Sequence, residues 1–137
     1  MRGLIPSLLA VLALGSTAFA ADKPAAPGTS VEMPYLIAPL TVDDKLVAYA
    51  YVSSKIIATS PSGAIEIRLK TPFLQDAFVR DVNAAPIGRG SDTSKVDEAA
   101  LVARLLRDTK RVMGAGVVAD FRLIQIQIAA VRPNAPS

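Results

Sequence analysis

Asp76, Arg80 and Asp81 place two carboxylates and a guanidinium within six residues. On a helix, Asp76 and Arg80 stand one turn apart and make an ion pair worth only a few tenths of a kcal/mol. Two acids that were buried and electrically coupled could instead divide general-acid and general-base roles. No nucleophile, oxyanion loop or phosphate-binding glycine motif accompanies them, which favours structural pairing. The chain contains no histidine and no cysteine, so it cannot build a Ser-His-Asp or Cys-His nucleophilic site or any of the usual zinc sites. Asp43-Asp44 lacks the glycine-centred spacing of a calcium loop and reads as a solvated turn. The expectation is a protein that is not an enzyme and holds no metal or cofactor. Carboxylates, lysines, tyrosines and hydroxyls remain as candidate catalysts, and the enzymatic alternative is a carboxylate-based hydrolase, which needs a pocket joining two coupled acids.

A second group of residues suits contact rather than catalysis. Arg104, Arg107 and Arg111 recur at three- and four-residue spacing and line one face of a helix, with Lys110 beside them. That face could meet acidic protein, lipid headgroups or other envelope polyanions. The plainer reading is a solvated face whose charge near the helix C-terminus favours the helix dipole. Gln125 and Gln127 alternate with isoleucines on the closing strand. They could bond across an assembly edge, through side chains or an added strand from a neighbour, or simply face solvent. Tyr49 and Tyr51 share one side of a strand and are expected to fill the interface between sheet and helices, with a small aromatic platform as the alternative.

The elements that hold these residues follow an N-terminal segment of different character. Arg2, the apolar run Leu4 to Leu14 interrupted by Pro6 and Ser7, and Ala18-Phe19-Ala20 match the charged, apolar and cleavage regions of a signal peptide. At about 1.5 Å of rise per residue, that run is too short for a hydrocarbon layer of roughly 30 Å. Residues 1–20 are therefore expected to be cleaved off near Ala20, leaving a periplasmic protein. The alternative is an inner-membrane protein anchored by an uncleaved N-terminal segment. About 117 of the 137 residues remain, enough for one modest domain. Of 15 basic and 12 acidic residues, one basic residue leaves with the signal, and a charge of about +2 is too weak to argue for nucleic acid. The expected partner is an envelope protein or a second copy of the chain, in peripheral proximity to a membrane.

Residues 21–30, rich in proline and small side chains, read as a flexible spacer. The domain, residues 31–131, opens with Val31 to Leu40, where Pro34 and Pro39 demand a sheet edge or an interruption. Asp43-Asp44 joins that segment as a hairpin to Lys45–Thr59, a run expected to be buried on both faces. Ser60-Pro61 starts a helix that aligns Ile65, Leu69 and Phe73 as one stripe. Pro72 should kink it or start a second segment capped by Thr71, which turns Leu74, Ala77, Phe78 and Val82 toward the core. Asn83 to Lys95 reads as a loop. Ser94 and Asp97 resemble a capping box for a helix from Val96 to Met113, whose inward stripe is Leu101, Val102, Leu105, Val112 and Met113 and which Gly114 or Gly116 ends. The closing strand, Val117 to Val131, changes phase between Leu123 and Ile124, so a one-residue bulge near Leu123 is expected. Residues 132–137 read as a frayed tail. The sum is a small α+β domain, a short and largely antiparallel sheet with two helices packed on one face.

Four segments carry a family likeness: YLIAPLTV at Tyr35 to Val42, TPFLQDAFVRDVN at Thr71 to Asn83, the helix containing LLRDTKRVMG, and the closing VVADFRLIQIQ. From Tyr35 to Val131 the chain resembles the periplasmic C-terminal domain of the flagellar basal-body-associated FliL family, with Pro72, Asp76, Gly116 and Gln125 or Gln127 in the matching places. The resemblance implies a strand entering a proline-bearing helix, a second helix, a glycine and a final strand of apolar-Gln residues. It also implies distant similarity to stomatin and prohibitin domains, which assemble into membrane-associated rings, and a non-enzymatic role beside the flagellar stator. A typical member keeps a permanent transmembrane helix, where this chain has a removable segment. The expected function is an exported interaction or scaffold domain of the bacterial cell envelope, with support of the flagellar motor as the family's setting. The alternative is a periplasmic module that binds an anionic envelope component through the basic helix face.

Overall fold

A computed structural model describes residues 24–89 and 92–131. In chain order the elements are β1 (Ser30–Glu32), β2 (Leu36–Val42), β3 (Lys45–Ala58), α1 (Pro61–Leu69), α2 (Thr71–Ala84), β4 (Gly88–Arg89), β5 (Asp92–Val96), α3 (Glu98–Met113) and β6 (Val118–Ala130). The segments read as signal peptide and tail lie outside the described residues. Among the described residues no helix is long and apolar enough to cross a membrane.

β3 is long enough to be paired on both sides, and it forms the centre of an antiparallel sheet. One edge of it carries β1 and then β2; the other carries β6 along most of its length. Pro34 explains the gap between β1 and β2, because it has no backbone donor to give the ladder. Met33 bridges the gap by donating its N–H to the Ser54 carbonyl at 2.9 Å. Asp43 and Asp44 form the expected hairpin turn, both left-handed, with φ of 51° and 63°; that turn matches the twist of the flanking strands, and aspartate tolerates it. Part of the expected spacer belongs to the sheet. Thr29 is buried, its carbonyl accepts the Ala58 N–H at 2.8 Å, and Ser30 already pairs with Ile57.

Cross-strand register assigns the faces of the sheet. Ala48, Ala50, Val52, Ser54 and Ile56 look inward, level with Leu36, Ala38 and Leu40 of β2. The sequence expectation that Lys45–Thr59 is buried on both faces is therefore corrected, as is the placement of Tyr49 and Tyr51 against the helices. Both tyrosines lie on the outer, half-open face. Small inner residues such as Ala48 and Ala50 leave room for large side chains arriving from the helices, and tyrosines there would overfill the layer. The expected bulge in β6 is present: Ser53 pairs with Gln125 but Ser54 with Leu123, so Ile124 is the extra residue. Phe121, Leu123, Ile126 and Ile128 thereby share the inner face, while Ile124 is exposed.

Three helices, not two, cover that inner face. Ser60 caps α1, its Oγ accepting the Gly63 N–H at 3.0 Å. The break imposed by Pro72 falls at Lys70, and α2 starts without a side-chain cap. Thr71 is not the expected cap; its hydroxyl donates backward to the Ile67 carbonyl at 3.2 Å. Ala64, Ile67, Leu74, Phe78 and Val82 are buried, so the inward line runs through both helices. Ile65, Leu69 and Phe73, the stripe that the sequence singles out, lie outside it at 57%, 75% and 67% exposure. Close packing is the reason: a Cβ on Gly63 would stand 3.3 Å from Val117 and 3.5 Å from Ala58, so α1 meets the sheet through its smallest residues. Phe78 then contacts Phe121 of β6 edge to face, with ring centroids 5.7 Å apart.

Residues 83–95, read as a loop, contain the end of α2 and most of a β4–β5 hairpin. Strands of two and five residues are too short to show a period in the sequence. Ser94 falls within β5, so the proposed capping box is replaced by a simpler cap: Asp97 Oδ1 accepts the Ala100 N–H at 3.2 Å. Gly114 ends α3 at φ 89°.

Candidate functional site

Between α2 and α3 opens a groove of about 710 Å³, with exposed Lys70, Phe73 and Arg80 along its wall and two withdrawn acids, Asp81 and Asp108, within it. One arginine fixes the geometry. The last carbonyls of a helix have no intrahelical partner, and α2 has no basic residue in its own last turn. Arg104 of α3 supplies donors at that end and just past it. Its Nε donates to Asp81 Oδ1 at 2.7 Å, and its amino groups donate to the carbonyls of Asp81, Ala85 and Pro86 at 2.9, 3.0 and 2.9 Å. Four of its five N–H donors are thus used inside the chain, and its side chain is only 18% exposed.

The three arginines expected on one contact face are therefore split. Arg104 turns into the fold, while Arg107 and Arg111 stay 67% exposed, Arg107 at 3.7 Å from Asp81 Oδ2 and Arg111 at 2.8 Å from Asp108 Oδ1. Asp76 and Arg80 form the predicted one-turn pair at 3.0 Å, fully in solvent reach, where such a pair contributes little. Asp81 does not join them. Its partner is Asp108, a residue that sequence reasoning passed over although the signal was present: Asp108 lies three and seven residues after Leu105 and Leu101, an acid on an apolar stripe.

Asp81 and Asp108 are neighbours whose carboxyls are pushed apart in acidity. Burial pushes Asp81 up, but the hydrogen bonds from Asp108 and Arg104 and the charges of Arg104 and Arg107 outweigh it, so its carboxyl lies below the ordinary value. For Asp108, burial, the hydrogen bond with Asp81 and the Asp81 charge raise the pKa to about 6 against the pull of Arg111 and Arg107. The side chains are 11% and 1% exposed respectively. Asp108 Oδ2 is buried with no donor to satisfy it, and a proton on that carboxyl removes the cost of an unpaired charged oxygen there.

Two coupled acids beside a groove meet the minimum for a carboxylate-based hydrolase, and the surrounding geometry limits what they can do. Asp81 is held by guanidinium groups that lower its basicity, and Asp108 offers almost no surface to a substrate. No hydroxyl side chain lines the groove as a nucleophile among the described residues. The network clasps α2 to α3. Gln125 and Gln127 lie elsewhere, exposed on the outer face of the sheet, where Gln127 sits across from Tyr51 and Tyr51 from Ile37. The structure thus gathers the arginines at one site and the glutamines and tyrosines at another. Compared with known protein families and with curated proteins, the chain matches none of them.

Proposed function

We propose that this chain is an exported, non-enzymatic scaffold domain of the bacterial cell envelope, FliL-like in kind, that assembles with a second copy of itself along β6. The observation that carries this reading is the free edge of that strand. Among the described residues no strand pairs with its outer side, and from Leu123 to Val131 it contains neither a charged residue nor a proline. Edges of this length are ordinarily blunted by lysine, proline or a covering element. Left open, the edge offers unpaired N–H and C=O groups to an identical strand, in a symmetric arrangement common among homodimers. The bulge at Ile124 confines pairing to Gln125–Ala130, with Gln125 and Gln127 flanking the junction.

Further support comes from the sequence. A chain without imidazole or thiol has few catalytic options, its one coupled acid pair among the described residues is tied down by arginines, and the apolar N-terminal run suits export. The order of a proline-bearing helix, a second helix, a glycine and a closing strand with Gln125 and Gln127 supports the likeness to the domain found beside the flagellar motor. Light scattering over a concentration series should reveal reversible dimers or larger species for the wild type, and Gln125→Lys with Gln127→Lys should leave a monomer. A wild type that stays monomeric at high concentration sinks the reading. Envelope-derived protein should begin at Ala21; an intact N-terminus would favour the anchored alternative.

A further inference from the structure

α1 and the first turn of α2 carry a feature that neither the core nor the open sheet uses. Pro61, Ile65, Leu69 and Phe73 follow one another at four-residue steps on the outside of the helix layer, and the last three are large, apolar and exposed. At about 6 Å per step the line extends roughly 12 Å along α1, and Phe73 follows it past the break at Lys70. Beside Phe73 the groove wall adds exposed Lys70, Arg80, Arg107 and Arg111. Arg80 pairs with Asp76, and Arg107 and Arg111 lie 3.7 and 2.8 Å from the withdrawn Asp81 and Asp108, so the lining keeps a modest positive excess whose guanidinium groups reach solvent while two of its three acids do not. Glu66 and Arg68, on α1 itself, offset each other. An apolar line with a cation-rich groove at its Phe73 end has the chemistry of a surface that lies on an anionic bilayer.

The path of the chain points to the same occupant. Gly28 lies beside Pro61 and Pro24 near Thr59, so the described chain begins at the Pro61 end of the stripe, and the sequence before it carries the apolar run Leu4 to Leu14. The ten residues from Leu14 to Pro24 reach at most ~35 Å. Where the N-terminal segment is kept, a bilayer surface on which that run lies therefore has the stripe within reach. We propose that Ile65, Leu69 and Phe73 dock the domain peripherally on an anionic lipid bilayer, with Lys70, Arg80, Arg107 and Arg111 set against the headgroups. The docking is separate from self-association, because the stripe and the β6 edge lie on different elements. If the N-terminal segment is kept it acts as the tether, and if it is removed the stripe and its cations remain.

The chain contains no tryptophan, so Phe73→Trp in the full chain reports on this position alone. With vesicles of phosphatidylglycerol and phosphatidylcholine, its emission should shift to the blue and be quenched by brominated acyl chains, while Tyr51→Trp on the outer sheet face should not be quenched. Ile65→Ser with Leu69→Ser in the Phe73→Trp chain should weaken the apparent affinity about tenfold or more. Lys70→Gln and Arg80→Gln, which leave the Asp81–Asp108 clasp intact, should each weaken it about fivefold. An unquenched indole in the Phe73→Trp protein, on chains that nonetheless float with the vesicles, would overturn the proposal, since binding would then rest on the N-terminal segment alone. Equal quenching in purely neutral vesicles would overturn the charge component. A blue shift that grows with protein concentration in the absence of lipid would assign the stripe to a second copy instead.

Discussion

The two faces of β3 come from one strand and end in opposite conditions. On the inner face Ala50 is fully buried beneath side chains brought by three helices, while its much larger neighbour Tyr51 stands half-open on the outer face. The difference teaches that burial here is decided by what reaches the strand from elsewhere and not by the bulk of the strand's own residues. Small inner residues admit Phe78, Leu74 and Leu105. Large outer residues, with no covering layer among the described residues, make a surface that another molecule can use.

Changes on the covered side should cost the most. Phe78→Ala, which empties the contact with Phe121, is expected to lower the unfolding free energy by about 3 to 5 kcal/mol in urea titration. Tyr51→Ala should cost about 1 kcal/mol or less, and equal losses would erase the distinction between the faces. Arg104→Ala comes next at roughly 2 to 3 kcal/mol, because it removes the closest cation from the buried Asp81 carboxylate and the donors to the carbonyls of Ala85 and Pro86 just past α2.

A pH series sharpens the same contrast. The folded Asp108 holds its proton up to about pH 6, whereas an unfolded aspartate releases it near pH ~3.9. Its stabilising contribution is therefore complete below the unfolded pKa and is lost as pH rises through about 6. Asp81, shifted the other way, loses its contribution as pH falls below its ordinary range. Asp108→Asn is neutral at every pH, so wild-type stability relative to that variant should fall between about pH 4 and about pH 6 by on the order of 2 kcal/mol and be level above about pH 7. Thermal melts of both proteins across that range check it, and parallel curves would show that no proton is shared. The smallest effect belongs to the open side: Gln127→Lys should leave monomer stability within about 0.5 kcal/mol of wild type.

Much of the sheet was legible in the sequence because its signals are local. Pro34 marked the break in the edge, Asp43-Asp44 the turn, and the change of phase after Leu123 the bulge at Ile124. The helix layer was read less well. Ile65, Leu69 and Phe73 look like an inward stripe when size alone is counted, and only the close approach of Gly63 and Ala64 to the sheet puts them outside. The site was half legible. Arg107 and Arg111 stayed on the surface as their spacing suggested, but Arg104 was drawn inward by the end of a helix about twenty residues earlier, a long-range demand that no local pattern carries. Asp108 was visible as an acid on an apolar face, yet its partner could be named only once α2 and α3 were side by side.

Self-association depends most heavily on the open edge of β6. Amide hydrogen exchange, followed residue by residue over a range of protein concentrations, addresses it directly. The amides between Gln125 and Ala130 that point away from β3 should exchange quickly in dilute protein and become protected as concentration rises, and Gln125→Lys with Gln127→Lys should abolish that protection. Rapid exchange of those amides at every concentration, even in samples that have formed oligomers, would contradict the account.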